Sequence, residues 1–259
     1  MAIDFHAPEN QNTYAGREAH RDWAQAIGEI VDPVGKRVVD VGCGGGIYTA
    51  AWALQGAAQV IGVDFSAQMV RDATEANRGT PNISIRQGDA LHTGLPDGSA
   101  DIVFERALIH HLGDHSACLR EAWRVLSPGG HCIIQDRTPD DIALPGSPEH
   151  IRGYFFDVFP GLLAVEIGRR PVRKDIELAL LGAGFGQVNS RTLWETRKLH
   201  PDASALAADL RARTGRSILH ELSDTELEQL VLHVLRMAPA TGPVREADRW
   251  TLWTAIKPA

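Results

Sequence analysis

The run Val-Val-Asp-Val-Gly-Cys-Gly-Gly-Gly, residues 38–46, sets a carboxylate against a glycine loop. Glycines let a backbone approach a ligand closely. Asp40, two residues before Gly42, can bind a positive group such as an amino acid's ammonium, and it would repel a pyrophosphate. The dinucleotide fingerprint G-x-G-x-x-G fails, because its third glycine falls on Ile47. Gly42, Cys43 and Gly44 form the turn of this candidate loop. Asp64 stands 22 positions after Gly42. A carboxylate there can accept from both hydroxyls of a ribose. The bland alternative is a helix-entry Asp, but Ser66 already supplies that cap. Phe65 and Met69 can pack on an adenine. In Gly88-Asp89-Ala90, Asp89 can accept from an adenine amino group and the Ala90 N–H can reach a ring nitrogen; alone, this is also a common turn.

A second group could move protons. Histidine titrates near neutrality, so His110 or His111 can take a proton from a hydroxyl or amine, or merely shape a pocket. Neither is preferred. His110, His111, Asp114 and His115 have metal-ligand side chains, but Asp114 reads as a helix cap and no metal is expected. Asp136 and Arg137 either orient an acceptor or pair with each other. Tyr154, Phe155, Phe156 and Phe159 are either a pocket wall for an apolar or planar molecule or simply core.

These residues need elements that bring them together. Short β-branched or apolar runs predict strands at 37–41, 59–64, around Ile83 and Ile85, at 100–105, 131–136 and 187–194. A half-exposed final strand is expected at 249–257 from its alternation. Helices are expected after Ile47, after the Ser66 cap, at 116–126 and near 173–182, with Ser127-Pro128-Gly129-Gly130 breaking the third. Strands alternating with helices imply a parallel sheet covered on both faces, with ligands at the carboxyl ends of the strands. The candidates above follow strands.

Three stretches fall outside that alternation. Residues 1–35 form an N-terminal cap segment before a domain at 36–259. Insertions at about 137–170 and 195–247 are expected to make a helical lid. The second holds a helix from Asp202 to Gly215 and another with a Ser223/Glu226 capping box and a Leu222–Leu227 staple.

The chain has 259 residues and a formal charge of −7, which disfavours a phosphate-backbone partner. Arg169, Arg170, Arg173 and Lys174 read as a solvated basic face. Three cysteines without metal spacing fit a reducing cytoplasm. No signal peptide or membrane-length apolar run is seen, so neither export nor membrane insertion is expected.

The series VVDVGCGGG, VIGVDFS, GDALHTGLPDGSADIVF and EAWRVLSPGGHCII resembles the class I S-adenosylmethionine (SAM)-dependent methyltransferases, most of all the small-molecule branch with the ubiquinone and menaquinone enzymes. The resemblance covers residues 37–136. It implies a Rossmann-like α/β fold, with a seven-stranded, mostly parallel sheet whose last strand is antiparallel. It also implies that Gly42 and Gly44 hold the methionine part of SAM, Asp64 the ribose and Asp89 the adenine, and that backbone at Glu105 and Arg106 lines the cofactor. Asn12–Arg17 is similar to a segment that closes over SAM, with Tyr14 and Arg17 reaching the methionine carboxylate. The Asn/Asp-Pro-Pro-Tyr signature of nucleobase and glutamine methylation is missing. The expected activity is methyl transfer to O, N or C of a small molecule, with a base optional. Other chemistry on the same fold, or SAM binding without catalysis, are the alternatives; Ile47 and Asp40 disfavour a nicotinamide enzyme.

Overall fold

Apolar runs such as Val-Ile-Gly-Val at 60–63 can form ordered strands only where both faces are covered. The computed structural model describes residues 19–239 and 241–259. In chain order its elements are α1 (Arg21–Gly28), β1 (Arg37–Val41), α2 (Ile47–Leu54), β2 (Gln59–Asp64), α3 (Ala67–Ala76), β3 (Ile83–Gln87), β4 (Ala100–Arg106), α4 (His115–Val125) and β5 (Leu126–Asp136), then α5 (Pro139–Ile142), α6 (Gly153–Val158), α7 (Pro160–Arg169), α8 (Arg173–Gly182), β6 (Gly186–His200), α9 (Ala203–Arg211), α10 (Asp224–Met237) and β7 (Val244–Ile256).

The seven strands lie in the order β3-β2-β1-β4-β5-β7-β6. The first five are parallel. β7 runs antiparallel to β5, with Asp136 opposite Thr251. This is the expected Rossmann-like α/β sheet, and the order reverses at β1 and β4, where such sheets bind ligands.

Chain contacts divide the molecule into two compact units. The sheet unit comprises the described residues up to Asp136, with Pro171–Leu193 and Thr251–Ala259. Successive strand residues point to opposite faces, so neighbours serve different cores. Val39, Val103, Leu119, Ile176, Leu180 and Trp253 belong to one. Val38, Ile102, Ile133, Trp23, Trp52 and Phe104 belong to the other. Trp23, from α1, meets Trp52 and Phe104 edge-on at 5.2 and 5.6 Å.

The helical unit comprises Arg137–Arg170 and Trp194–Trp250. Its core gathers Ile142, Leu206, Leu210, Leu230 and Val234 with Tyr154, Phe155 and Phe156. Of the two readings of the aromatic run, core is therefore the one observed, with Phe159 packed against it. The capping box at Ser223 and Glu226 forms as expected, and the staple leucines 222 and 227 are buried.

Four local expectations are corrected. β5 begins at Leu126, because the Ser-Pro-Gly-Gly segment continues as an irregular strand after α4: Ala100 pairs with Leu126 and Ile102 with His131, with a register shift between. β7 is buried rather than half-exposed along Trp250–Trp253, since it lies inside the sheet between β5 and β6. α9 stops at Arg211, followed by the left-handed Arg213 (φ 52°). The basic cluster is only partly a solvated face: Lys174 is exposed, but Arg170 is buried and donates to Glu166 at 2.7 Å, and Arg173 donates to Ser190 and Thr251.

Candidate cofactor and catalytic site

The glycine loop leaves β1 and turns back on β2. The Gly42 and Cys43 N–H groups both donate to the Val63 carbonyl, at 2.7 and 3.0 Å. The Gly44 N–H donates to Asp64 Oδ2 and the Ser66 N–H to Oδ1, each at 2.9 Å. Asp64 thus ties the loop to the entrance of α3, and Ser66 caps that helix through the Met69 N–H. A carboxylate offers about four acceptor sites, so these two bonds are compatible with a diol ligand.

Two of the loop glycines serve different purposes. A Cβ on Gly42 would come within 2.9 Å of Leu108 Cδ1, so the turn after β4 packs against it. Gly44 has a φ of +52° and, among the described residues, no heavy atom within 4 Å of a Cβ built there. Bare backbone of this kind lets a ligand approach closely, as a cofactor cradle needs.

Asp40 lies below the loop. It is 2% exposed and accepts the Thr49 hydroxyl at 2.6 Å, bracing β1 to α2. Burial pushes its carboxyl up to about 7; Asp64 adds to the rise, while Thr49 and Arg106 oppose it. Burial also pushes the Cys43 thiol well up, beside Asp40 and Asp64, so Cys43 is loop structure rather than a nucleophile. Phe65 is 51% exposed whereas Met69 is 4% exposed; Phe65 alone of the pair offers a ring face. Asp89 is exposed and accepts the Leu91 N–H at 2.7 Å in its turn. Ala90 packs on the sheet core.

At the end of β4, Glu105 is buried and Arg106 is half-buried. Glu105 accepts from the Cys118 thiol at 3.4 Å. Its other oxygen has no hydrogen-bond partner among the described residues. Burial pushes this carboxyl up to about 7; Cys118 opposes the shift and nearby Asp136 adds to it. Arg106 lies over the Tyr48 ring at 4.2 Å, a contact that no sequence signal marked. Ala107 adopts a left-handed φ of 51°, uncommon for a residue with a Cβ, and donates to the Gln135 carbonyl at 2.9 Å.

The two histidines that follow, in the helical turn Ile109–His111, have different surroundings. His110 Nδ1 lies 3.0 and 2.8 Å from the two oxygens of Asp136, and its backbone N–H also donates to Asp136. The side chains of His110 and Asp136 are 8% and 0% exposed. Against a buried carboxylate Nδ1 carries the proton, which makes Nε2 the basic nitrogen. His111 is exposed, its ring 3.9 Å from that of His110. Asp136 bonds a histidine 26 positions earlier, while Arg137 lies 3.7 Å from Asp248. His115 bonds the Ile109 carbonyl and Asp114 caps α4. Tyr14 and Arg17 lie outside the described residues.

In the helical unit His200, Asp209 and Glu246 bring metal-ligand atoms together. Guanidinium groups already hold both carboxylates: Arg216 donates to Asp209 and Glu246 at 2.6 and 2.7 Å, and Arg197 to Glu246 at 3.0 Å. This is an ion-pair network rather than a metal cage.

A carboxyl whose folded pKa is raised contributes stability that is whole below its unfolded value and is lost as pH rises through the folded one. For Glu105 that window runs from about 4.5 to about 7. Urea unfolding at pH 5 and pH 8 should show Glu105→Gln losing less stability than the unaltered protein, by about 2–3 kcal/mol. Equal losses would refute the assignment.

Comparison with known proteins agrees with this geometry. Residues 39–134 match the family model described as a methyltransferase domain. Demethylmenaquinone methyltransferase of Deinococcus radiodurans is 32% identical over 152 residues, covering 57% of this chain and 62% of that protein. The chain spans 39% to 62% of the length of the first curated relatives it matches. Among solved structures, Haemonchus contortus phosphoethanolamine N-methyltransferase 2, with S-adenosylhomocysteine bound, aligns with a TM-score of 0.62 at 17% identity, covering 99% of this chain and 61% of that one. The SpnF cyclase aligns with a TM-score of 0.61 at 18% identity, covering 97% and 93%. Residues 39–134 thus match a methyltransferase domain, and the chain is similar to SAM-dependent methyltransferases of the quinone type.

Proposed function

We propose that this protein moves a methyl group from SAM to an O, N or C atom of a small molecule. The observation that carries the reading is Asp64, tied to an open glycine turn at the carboxyl end of β2 and beside the exposed Phe65. When bound, SAM supplies a methyl group on a sulfonium that is already a good leaving group. In this reading Gly42 and Gly44 receive the methionine part, Asp64 the ribose, and Phe65 and Asp89 the adenine. Glu105 and Arg106 line the cofactor through their backbone, and Tyr14 and Arg17 would close on it. The protein's main task is alignment, which can supply about 7–11 kcal/mol.

His110 is the base in this proposal. Asp136 fixes its ring, and Nε2 takes the acceptor's proton. The acceptor is an apolar or aromatic small molecule, a reading supported by relatives named as demethylmenaquinone and 2-methyl-6-phytyl-1,4-hydroquinone methyltransferases. A cytoplasmic setting belongs to the same reading and is supported by three free thiols. Among the described residues no helix is long and apolar enough to cross a membrane. The likeness to SpnF favours a second reading, a SAM-fold enzyme with other chemistry such as cyclisation. Release of S-adenosylhomocysteine during turnover distinguishes the two.

Calorimetric titration should give micromolar SAM binding and no response to NADH. Asp64→Ala should bind SAM about 100-fold or more weakly, since two charge-assisted hydrogen bonds at about 1.5–3 kcal/mol each are lost. Binding indifferent to Asp64 would sink the cofactor assignment. With an acceptor in hand, His110→Ala should slow methyl transfer about 10²–10⁴-fold and His111→Ala much less; equal effects would remove His110 from its role. The lid role of 137–170 and 195–247 predicts slower tryptic cleavage within them when SAM is present, and unchanged cleavage would contradict it.

A further inference from the structure

Alternation along β4 sends its last side chains to opposite faces of the sheet. Glu105 points towards Cys118 of α4. Phe104 and Arg106 point the other way, where Phe104 meets Trp52 and Tyr48 of α2 at 5.5 and 6.0 Å. The Arg106 guanidinium lies over the Tyr48 ring, 4.2 Å from its centroid. Tyr48 is the second residue of α2, directly after the glycine loop. Val41 is opposite Glu105 in the β1–β4 register, so Arg106 stands level with Gly42, where that loop begins. Asp40 lies close by: burial pushes its carboxyl up, and Arg106 is near enough to oppose that rise.

One acid and one cation are thus set together beside the loop. The amino acid end of a ligand carries an ammonium and a carboxylate on neighbouring groups, and a complementary receptor offers one fixed charge of each sign. A guanidinium held on an aromatic face can still fork a carboxylate with its N–H donors. The aromatic contact also holds a long side chain in one place, so less freedom is lost when a ligand binds. Arg106 is half-buried, and solvent ions screen such a charge less than one on the open surface. The first turn of α2 holds no acidic residue that would compete for the guanidinium.

We propose that the Arg106 side chain, positioned by Tyr48, binds the carboxylate at the methionine end of SAM and makes the site select a cofactor that carries this group over one that lacks it. Asp40 is the counterpart for the ammonium. The assignment rests on the SAM reading above and extends it, since there Arg106 acts only through its backbone. Tyr48 touches no ligand in this proposal and acts through Arg106.

Calorimetric titration of the full chain with SAM and with decarboxylated SAM tests it. The unaltered protein should bind SAM about tenfold or more tightly than the decarboxylated form. Arg106→Gln should weaken SAM by about tenfold or more and leave decarboxylated SAM within about twofold, so that the discrimination disappears. Arg106→Lys, which keeps the charge but loses the fork, should retain part of it, and Tyr48→Leu should erode it. Equal affinity for the two ligands in the unaltered protein, discrimination undiminished in Arg106→Gln, or equal weakening of both ligands by that substitution would each overturn the proposal while leaving SAM as the cofactor. If Arg106→Gln does not unfold cooperatively, Arg106→Lys and the two ligands on the unaltered protein still decide. No binding of either ligand to the unaltered protein would remove the SAM reading and this assignment with it.

Discussion

A single carboxylate at the end of β2 holds together the part of the molecule on which the rest of the site depends. Asp64 accepts one N–H from the loop after β1 and another from the start of α3. Without it, the Gly44 and Ser66 amides would have to find other partners or water, and a buried N–H left unpaired costs roughly 1–3 kcal/mol. The parallel sheet brings the strand ends side by side; Asp64 then fixes how the first two loops face one another. Gly44 and Phe65 stand on either side of that carboxylate.

The neighbouring carboxylates are handled differently. Asp40 and Glu105 are fully enclosed and both are pushed up to about 7. Asp40 has Thr49 as a close partner, while Glu105 has only the weak Cys118 thiol donor on one oxygen among the described residues. Asp136 stays engaged with His110 through both side chain and backbone. One short region of the sheet thus holds four acids in distinct environments, and uneven environments divide acid, base and structural duties among like side chains.

Most of the sheet was legible because its signals are local. Val-Val-Asp-Val before a glycine loop, Ser66 three residues before Met69, and Asp114 before Ala117 each state an element or a cap within a few residues. The His110–Asp136 pair was not legible. His110 follows β4 and Asp136 ends β5, and their contact depends on β4 and β5 being neighbours with Arg106 opposite Gln135, a tertiary fact with no local periodicity. The irregular start of β5 was hidden for a related reason: Pro128 and two glycines look like a chain break, yet pairing of Leu126 with Ala100 overrides that propensity. Arg170 misled in the opposite direction, since the burial of a guanidinium is decided by a facing Glu166 and not by the basic residues around it.

The three cysteines have a practical consequence. Burial raises the thiols of Cys43, Cys118 and Cys132 above the ordinary range, and acidic neighbours raise them further. Alkylation and disulfide exchange proceed through the thiolate, which these environments suppress. In the folded protein these thiols are therefore held in their less reactive form near neutral pH, and a cysteine introduced on the surface would be the more reactive handle for labelling.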